Sequence, residues 1–112
     1  MQLHKQDYGE AILITVDESR IDAAVAIQFK EKIRELAEDG PSRVILDMAQ
    51  VGFLDSSGLG AIVAAMKQLG TDRSLELAGL APMVQKVFRL TRMDSVFPIF
   101  PSLDDAMSEL AR

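Results

Sequence analysis

The sequence predicts an α/β domain: a mixed, mostly parallel β-sheet with an N-terminal antiparallel hairpin and about four flanking helices. Three observations carry this reading. Strand-like apolar runs alternate with helix-periodic segments in the order β-β-α-β-α-β-α-β-α, the pattern of parallel strands joined by right-handed crossovers. Only Tyr8-Gly9-Glu10 separates the first two strand-like runs, a connection suited to a hairpin. The 112 residues, 48% apolar and 26% charged, suit one globular domain over 1–112, without room for a second core.

The elements follow in order. Residues 2–8 alternate faintly and suit a short or edge strand. Ala11-Ile12-Leu13-Ile14-Thr15-Val16 is β-branched and nearly all apolar, as a strand covered on both faces requires. A first helix shows in Ala26, Phe29, Ile33 and Leu36, spaced by threes and fours. Asp22 is placed to cap it, with Ile21 as a hydrophobic staple, and Gly40-Pro41 to end it. Arg43 to Met48 is the next strand. The second helix carries the stripe Leu59, Ile62, Val63, Met66 and Leu69, and Gly70 stops it. Its small residues Gly58, Ala61 and Ala65 share another face, suited either to a close-approaching partner or to tight internal packing. Leu75 and Leu77 alternate with Glu76 in a short strand. A third helix spans roughly Met83 to Thr91. Phe97-Pro98-Ile99-Phe100 suits a sheet edge or strand end. Ser102 caps a last helix with the stripe Leu103, Ala106, Met107 and Leu110. Strand order does not follow from the pattern.

Composition removes several classes of function. With no cysteine, disulfide scaffolds, thiolate zinc sites and cysteine nucleophiles are excluded. Seventeen acids against twelve bases give a net charge of −5, and no Lys/Arg cluster exceeds two residues, so no nucleic acid is expected as a partner. No apolar stretch approaches the roughly 18 residues that span a bilayer, so no direct membrane insertion is expected. Met1-Gln2-Leu3-His4-Lys5-Gln6-Asp7 has no signal-peptide core, and a cytoplasmic protein is the default expectation.

The chemistry concentrates in Val51-Gly52-Phe53-Leu54-Asp55-Ser56-Ser57-Gly58-Leu59-Gly60, where a strand hands over to a helix N-terminus. Free amide groups and the helix dipole favour negative charge there. A nucleophile elbow needs glycine on both sides of its serine, and neither Ser56 nor Ser57 has that. The single histidine, His4, sits in the weakest element, whereas a Ser-His-Asp triad needs a well-held imidazole. A phosphate loop of the Gly-x-x-x-x-Gly-Lys-Ser/Thr type is absent, and Gly58-Leu59-Gly60 is only a fragment of a dinucleotide fingerprint. Asp22, Asp47 and Asp55 are oxygen-ligand candidates without metal-site spacing, so no metal is assigned, and turn-forming roles suit them better. On residue chemistry alone, Ser56 and Ser57 are equally good caps.

Val44-Ile45-Leu46-Asp47-Met48 through Asp55-Ser56-Ser57-Gly58-Leu59 closely resembles the central signature of STAS domains, in particular bacterial anti-sigma factor antagonists. That family's pattern is an apolar strand ending in Asp-Leu/Met-Ser, an apolar pair, then Asp-Ser-Ser/Thr-Gly-Leu. The likeness extends over essentially the whole chain, specific in the centre and soft at the ends, with Ile21-Asp22 opening the first helix and Ser102-Leu103-Asp104-Asp105-Ala106 the last. Two departures stand out: Ser19-Arg20 replaces a glycine-containing turn, and Arg92 stands where the family often has glycine.

The resemblance implies a phospho-switched, non-enzymatic regulator. The unmodified protein binds an anti-sigma factor, or a related serine-kinase regulator, and so releases that regulator's target. The kinase phosphorylates the residue before the glycine, here Ser57, and a serine phosphatase reverses the step. The chain itself then needs no cofactor, because ATP belongs to the partner kinase. The partner surface implied comprises Asp22, Asp55, Ser56, Gly58, Leu59, Ala61 and Ala65, on a protein monomeric by itself. Within it, Ser56 is read as supporting the turn or capping the helix, and Asp55 as orienting the acceptor, contacting the kinase or forming an Asx turn. Two other readings compete: a stand-alone STAS accessory subunit of a membrane lipid-transport ATPase complex, and a small hydrolase that would depend on His4.

Overall fold

The computed structural model describes residues 1–108. In chain order the elements are β1 (Leu3–Asp7), β2 (Ala11–Val16), β3 (Arg20–Ile21), α1 (Ala26–Ala37), β4 (Arg43–Asp47), β5 (Phe53–Leu54), α2 (Ser56–Leu69), β6 (Ser74–Ala78), α3 (Pro82–Leu90), a 3-10 turn (Met93–Ser95), β7 (Ile99–Phe100) and α4 (Leu103–Ser108). The main sheet runs β1-β2-β4-β6-β7, antiparallel only between β1 and β2. Gly9 turns that hairpin at φ 76°, a left-handed conformation open to a residue without Cβ. The predicted alternation therefore stands, with two additions. β3 and β5 form a separate parallel ladder, Arg20 opposite Phe53 and Ile21 opposite Leu54. Two residues of extended backbone are too few to show a period.

The alternation of side chains along the strands divides the apolar residues between two faces. Ile12, Ile14, Val44, Leu46, Leu75 and Leu77 point into the main core, with Phe29 and Ile33 of α1, Ile62 of α2, and Val84 and Phe88 of α3. Ala11, Leu13, Ile45 and Ala78 point the other way, under Leu103, Ala106 and Met107 of α4. Ala11 to Ile14 are consequently all buried, as an apolar run covered on both faces demands. Phe88 meets Phe97 edge to face at 5.8 Å, fastening the lead into β7 onto the core. Among the described residues Ile99 and Phe100 pair with β6 alone, so this proline-preceded run is the sheet edge that its composition suggested.

Glu76 departs from its expected role as the polar residue of an alternating strand. It is 5% exposed on the α4 face, where Arg43 Nε donates to its Oε2 at 2.8 Å and Ser74 Oγ donates to the same oxygen at 2.9 Å. Arg43 Nη2 also donates to the carbonyl of Ala106, tying α4 to the sheet. A buried carboxylate is tolerated here because two donors replace its water.

Three helix ends correct the sequence reading. α1 begins at Ala26 behind Val25, so Asp22 is not its cap; Asp22 Oδ1 instead accepts from Ala24 N at 3.1 Å in the turn before it. α1 also ends at Ala37, ahead of Gly40-Pro41, and Asp39 takes the left-handed conformation, at φ 55°. α3 starts one residue earlier than expected, with Pro82 in its first turn where the missing N–H costs nothing. Gly70 at φ 81° stops α2, and Ser102 Oγ accepts from Asp105 N at 3.2 Å to cap α4, both as read. Leu110 of the last stripe lies outside the described residues. Arg92, the departure from glycine, takes φ 61° in the left-handed region.

Candidate functional site

The Asp55-Ser56-Ser57-Gly58 turn is positioned by the short β3–β5 ladder. After β4, Asp47 Oδ1 accepts from Ala49 N at 3.1 Å, and Gly52 N donates to Ser19 O at 2.9 Å, steering the chain alongside residues 19–21. The ladder then brings Asp22 and Asp55 to neighbouring turns. Asp55 is the N-cap of α2: its Oδ1 accepts from Gly58 N at 2.8 Å, while its Oδ2 accepts from Ala23 N at 3.2 Å. One carboxylate thus caps a helix and clamps a second turn. Neither serine is the cap. Each of the three carboxylates considered as a metal ligand is instead engaged by a backbone amide.

Capping by Asp55 places Ser56 and Ser57 in the first turn of α2, and both are exposed. Neither hydroxyl hydrogen-bonds another described residue. Their amides belong to the first helical turn, where no preceding carbonyl is available to them. The carboxylate supplies a hydrogen bond that a serine would otherwise have provided, which leaves both hydroxyls presented outward.

The small face of α2 is packed inside the molecule. Gly58 is buried, and a Cβ there would collide with the carbonyl of Ile21 and come within 2.8 Å of Leu54 Cδ1. Ala61 is 6% and Ala65 1% exposed, both in the main core, where they let α1 approach α2. Of the two accounts of this stripe, internal packing is what the structure displays. Leu59 is half-buried, and Asp22 is partly covered. What remains open beside Ser57 is a shallow depression of about 210 Å³ between α1 and α2, lined by Ala26, Ile27, Lys30, Ser57, Gly60, Ala61 and Ala64. Ile27 stands 74% exposed on its rim. Sequence reasoning missed Ile27, Lys30, Gly60 and Ala64, although an isoleucine off the buried stripe of α1 was a readable signal.

Arg20 lies against the Asp22 turn and the β5 strand. Its guanidinium lies 4.3 Å from the centroid of the Phe53 ring, and its Nε donates to Asp22 Oδ2 at 3.3 Å. The Ser19-Arg20 departure therefore changes the surface next to the turn while leaving the turn's own hydrogen bonds intact. His4, by contrast, lies exposed on edge strand β1, 3.4 Å from Asp17, as the reading of a solvent-facing residue anticipated.

Comparison with known proteins agrees with this geometry. Residues 2–106 match the model of the STAS domain. The chain is 29% identical over 101 residues to BtrV of Bordetella bronchiseptica, named as a candidate anti-sigma factor antagonist, covering 89% of this chain and 87% of that one. It is 27% identical over 88 residues to the anti-sigma-F factor antagonist RsfB of Mycobacterium tuberculosis, covering 79% and 72%. The crystal structure of an anti-sigma factor antagonist from Mycobacterium paratuberculosis superposes with a TM-score of 0.86 at 26% identity, over 99% of this chain and 94% of that one. Among the described residues no helix is long and apolar enough to cross a membrane.

Proposed function

The chain belongs to the STAS domain family, and on that premise we propose that it is an anti-sigma factor antagonist switched off by phosphorylation at Ser57. The unmodified protein binds an anti-sigma factor or related serine-kinase regulator in the cytoplasm, as a monomer, and displaces the target that regulator was holding. The observation that carries the reading is the presentation of Ser57: an exposed, unengaged hydroxyl in the first turn of a helix capped by another residue.

The chemistry is donated by the partner. Ser57 Oγ attacks the γ-phosphorus of ATP held by the kinase; the new P–O bond forms as the bond to ADP breaks. The hydroxyl proton passes to a base of the kinase, and ADP leaves. A serine phosphatase returns the hydroxyl by hydrolysis, releasing inorganic phosphate. This chain is the substrate in both steps, so it needs no cofactor of its own.

Phosphorylation adds about −1.5 to −2 charges at one point. The first turn of α2 stabilises that charge, so the fold persists. For a partner packed over the same turn, added negative charge beside Asp22 and Asp55 opposes binding through repulsion and desolvation. Burial of Gly58 and Ala65 narrows the contact surface to Asp22, Asp55, Ser56, Ser57, Leu59 and the lining of the α1–α2 depression, where Ala61 keeps a small exposed edge.

A pull-down of the regulator with Ser57→Ala and Ser57→Asp tests the switch, with Ser56→Ala as control. Ser57→Ala and Ser56→Ala retain the regulator and Ser57→Asp loses it; equal retention by all three would overturn the proposal. Co-purification of the native protein with a transport ATPase in place of a kinase would favour the transport reading instead.

A further inference from the structure

The α1–α2 depression is lined by both a cation and the Ser57 residue. Lys30 and Ser57 line the same hollow of about 210 Å³, from opposite helices. At roughly 30 Å³ per water, that is space for about seven waters, enough to admit a phosphoryl group alongside an ammonium. Lys30 forms no salt bridge among the described residues, and its charge is only the smallest of the influences on the neighbouring Glu31 carboxylate. The acid next to it in sequence, Glu31, is held by Arg34, whose Nη2 lies 2.8 Å from Glu31 Oε2. The Arg34 hydrogen bond, reinforced by its charge, keeps the Glu31 carboxyl below its usual range, ionised and engaged elsewhere. On the loop side, both carboxylates near the turn are also occupied: Asp55 by Gly58 N and Ala23 N, Asp22 by Ala24 N and Arg20.

We propose that Lys30 is the built-in counter-cation of phosphorylated Ser57, and that the phosphate–Lys30 pair closes the depression. The inference rests on Ser57 as the modified residue and adds how the modification is read. The phosphate receives amide donors from the first turn of α2 on one side and the Lys30 ammonium on the other, giving charge-assisted hydrogen bonds that a neutral serine lacks. The ion pair occupies the space between Ile27, Gly60 and Ala64, denying a partner the apolar hollow. Switching then combines repulsion with physical occlusion, and no element of the fold has to move.

The test installs phosphoserine at position 57 during synthesis by genetic-code expansion, so it does not depend on any kinase. Titration by phosphorus NMR compares the wild-type background with Lys30→Met and with Lys32→Met, a control for general loss of positive charge. The expected result is a second phosphate ionisation about half a unit or more lower in wild type than in Lys30→Met. Lys32→Met should match wild type. Coincident titrations of wild type and Lys30→Met, or an equal displacement in both lysine variants, would overturn the pairing. A kinase that leaves Ser57 unmodified would overturn the proposed function and leave this result standing. Circular dichroism confirms that each variant is folded.

Discussion

Gly58 of α2 and Ile21 of β3 meet backbone to backbone, and no side chain larger than hydrogen fits between them. This approach seats the first turn of α2 against the β3–β5 ladder, so the outward presentation of Ser57 depends on a glycine that is itself hidden.

Gly58→Ala should destabilise the protein by at least about 2–3 kcal/mol, because the obstruction is a carbonyl group and cannot rotate away. Gly60→Ala, with nothing within 4 Å of its added Cβ, should instead stabilise by about 0.5–1 kcal/mol through helix propensity. Urea unfolding of the two variants measures both. Gly60→Ala also places a methyl in the depression beside Ser57, so its regulator affinity should fall while its stability rises.

Asp55→Ala removes the α2 cap and the clamp on Ala23 together. The expected loss is about 1–2 kcal/mol, toward the upper end because two amides lose their acceptor. Amide exchange should accelerate at Ala23 and Gly58 in particular. Asp55→Asn retains one acceptor and should lose less.

Glu76→Ala should cost about 2–4 kcal/mol, less than a fully buried pair because the Arg43 side chain is 21% exposed. Arg43→Met combined with Glu76→Leu should recover much of that loss, since both part-buried charges are then replaced by apolar groups. A double-mutant cycle by thermal unfolding, with Arg43→Met and Glu76→Leu each also made alone, gives the coupling. A sum of the two single losses would show that the residues act independently.

Arg92→Gly should stabilise by up to about 1 kcal/mol, raising the melting temperature by a few degrees. A left-handed conformation costs a non-glycine residue about 1–2 kcal/mol, and part of that relief is offset by glycine's greater unfolded entropy. Regulator binding should not change, because position 92 lies outside the turn and its depression.

The outline of this domain was legible because its signals are local. β2 announces itself by an unbroken apolar run, α2 ends at a glycine in the left-handed region, and Ser102 caps α4 three residues before Asp105. The handover of strand to helix at Asp55 to Gly58, and the likeness of that turn to a family signature, were equally local. Tertiary structure decided the rest. Asp55, rather than either serine, caps α2; Asp22 serves a turn; and Glu76 goes inside because Arg43, 33 residues away, meets it there. The small face Gly58, Ala61 and Ala65 was ambiguous in sequence because small residues suit a partner and a neighbouring helix equally well. The proximity of α1 and Ile21 assigned it to the interior. Lys30 and Ser57 lining one hollow belongs to the same class of fact, for only helix packing brings residues 27 positions apart to it. Spacing along a chain encodes periodicity and caps, whereas a carboxylate's partner or a glycine's neighbour is set by which distant segments the core draws together.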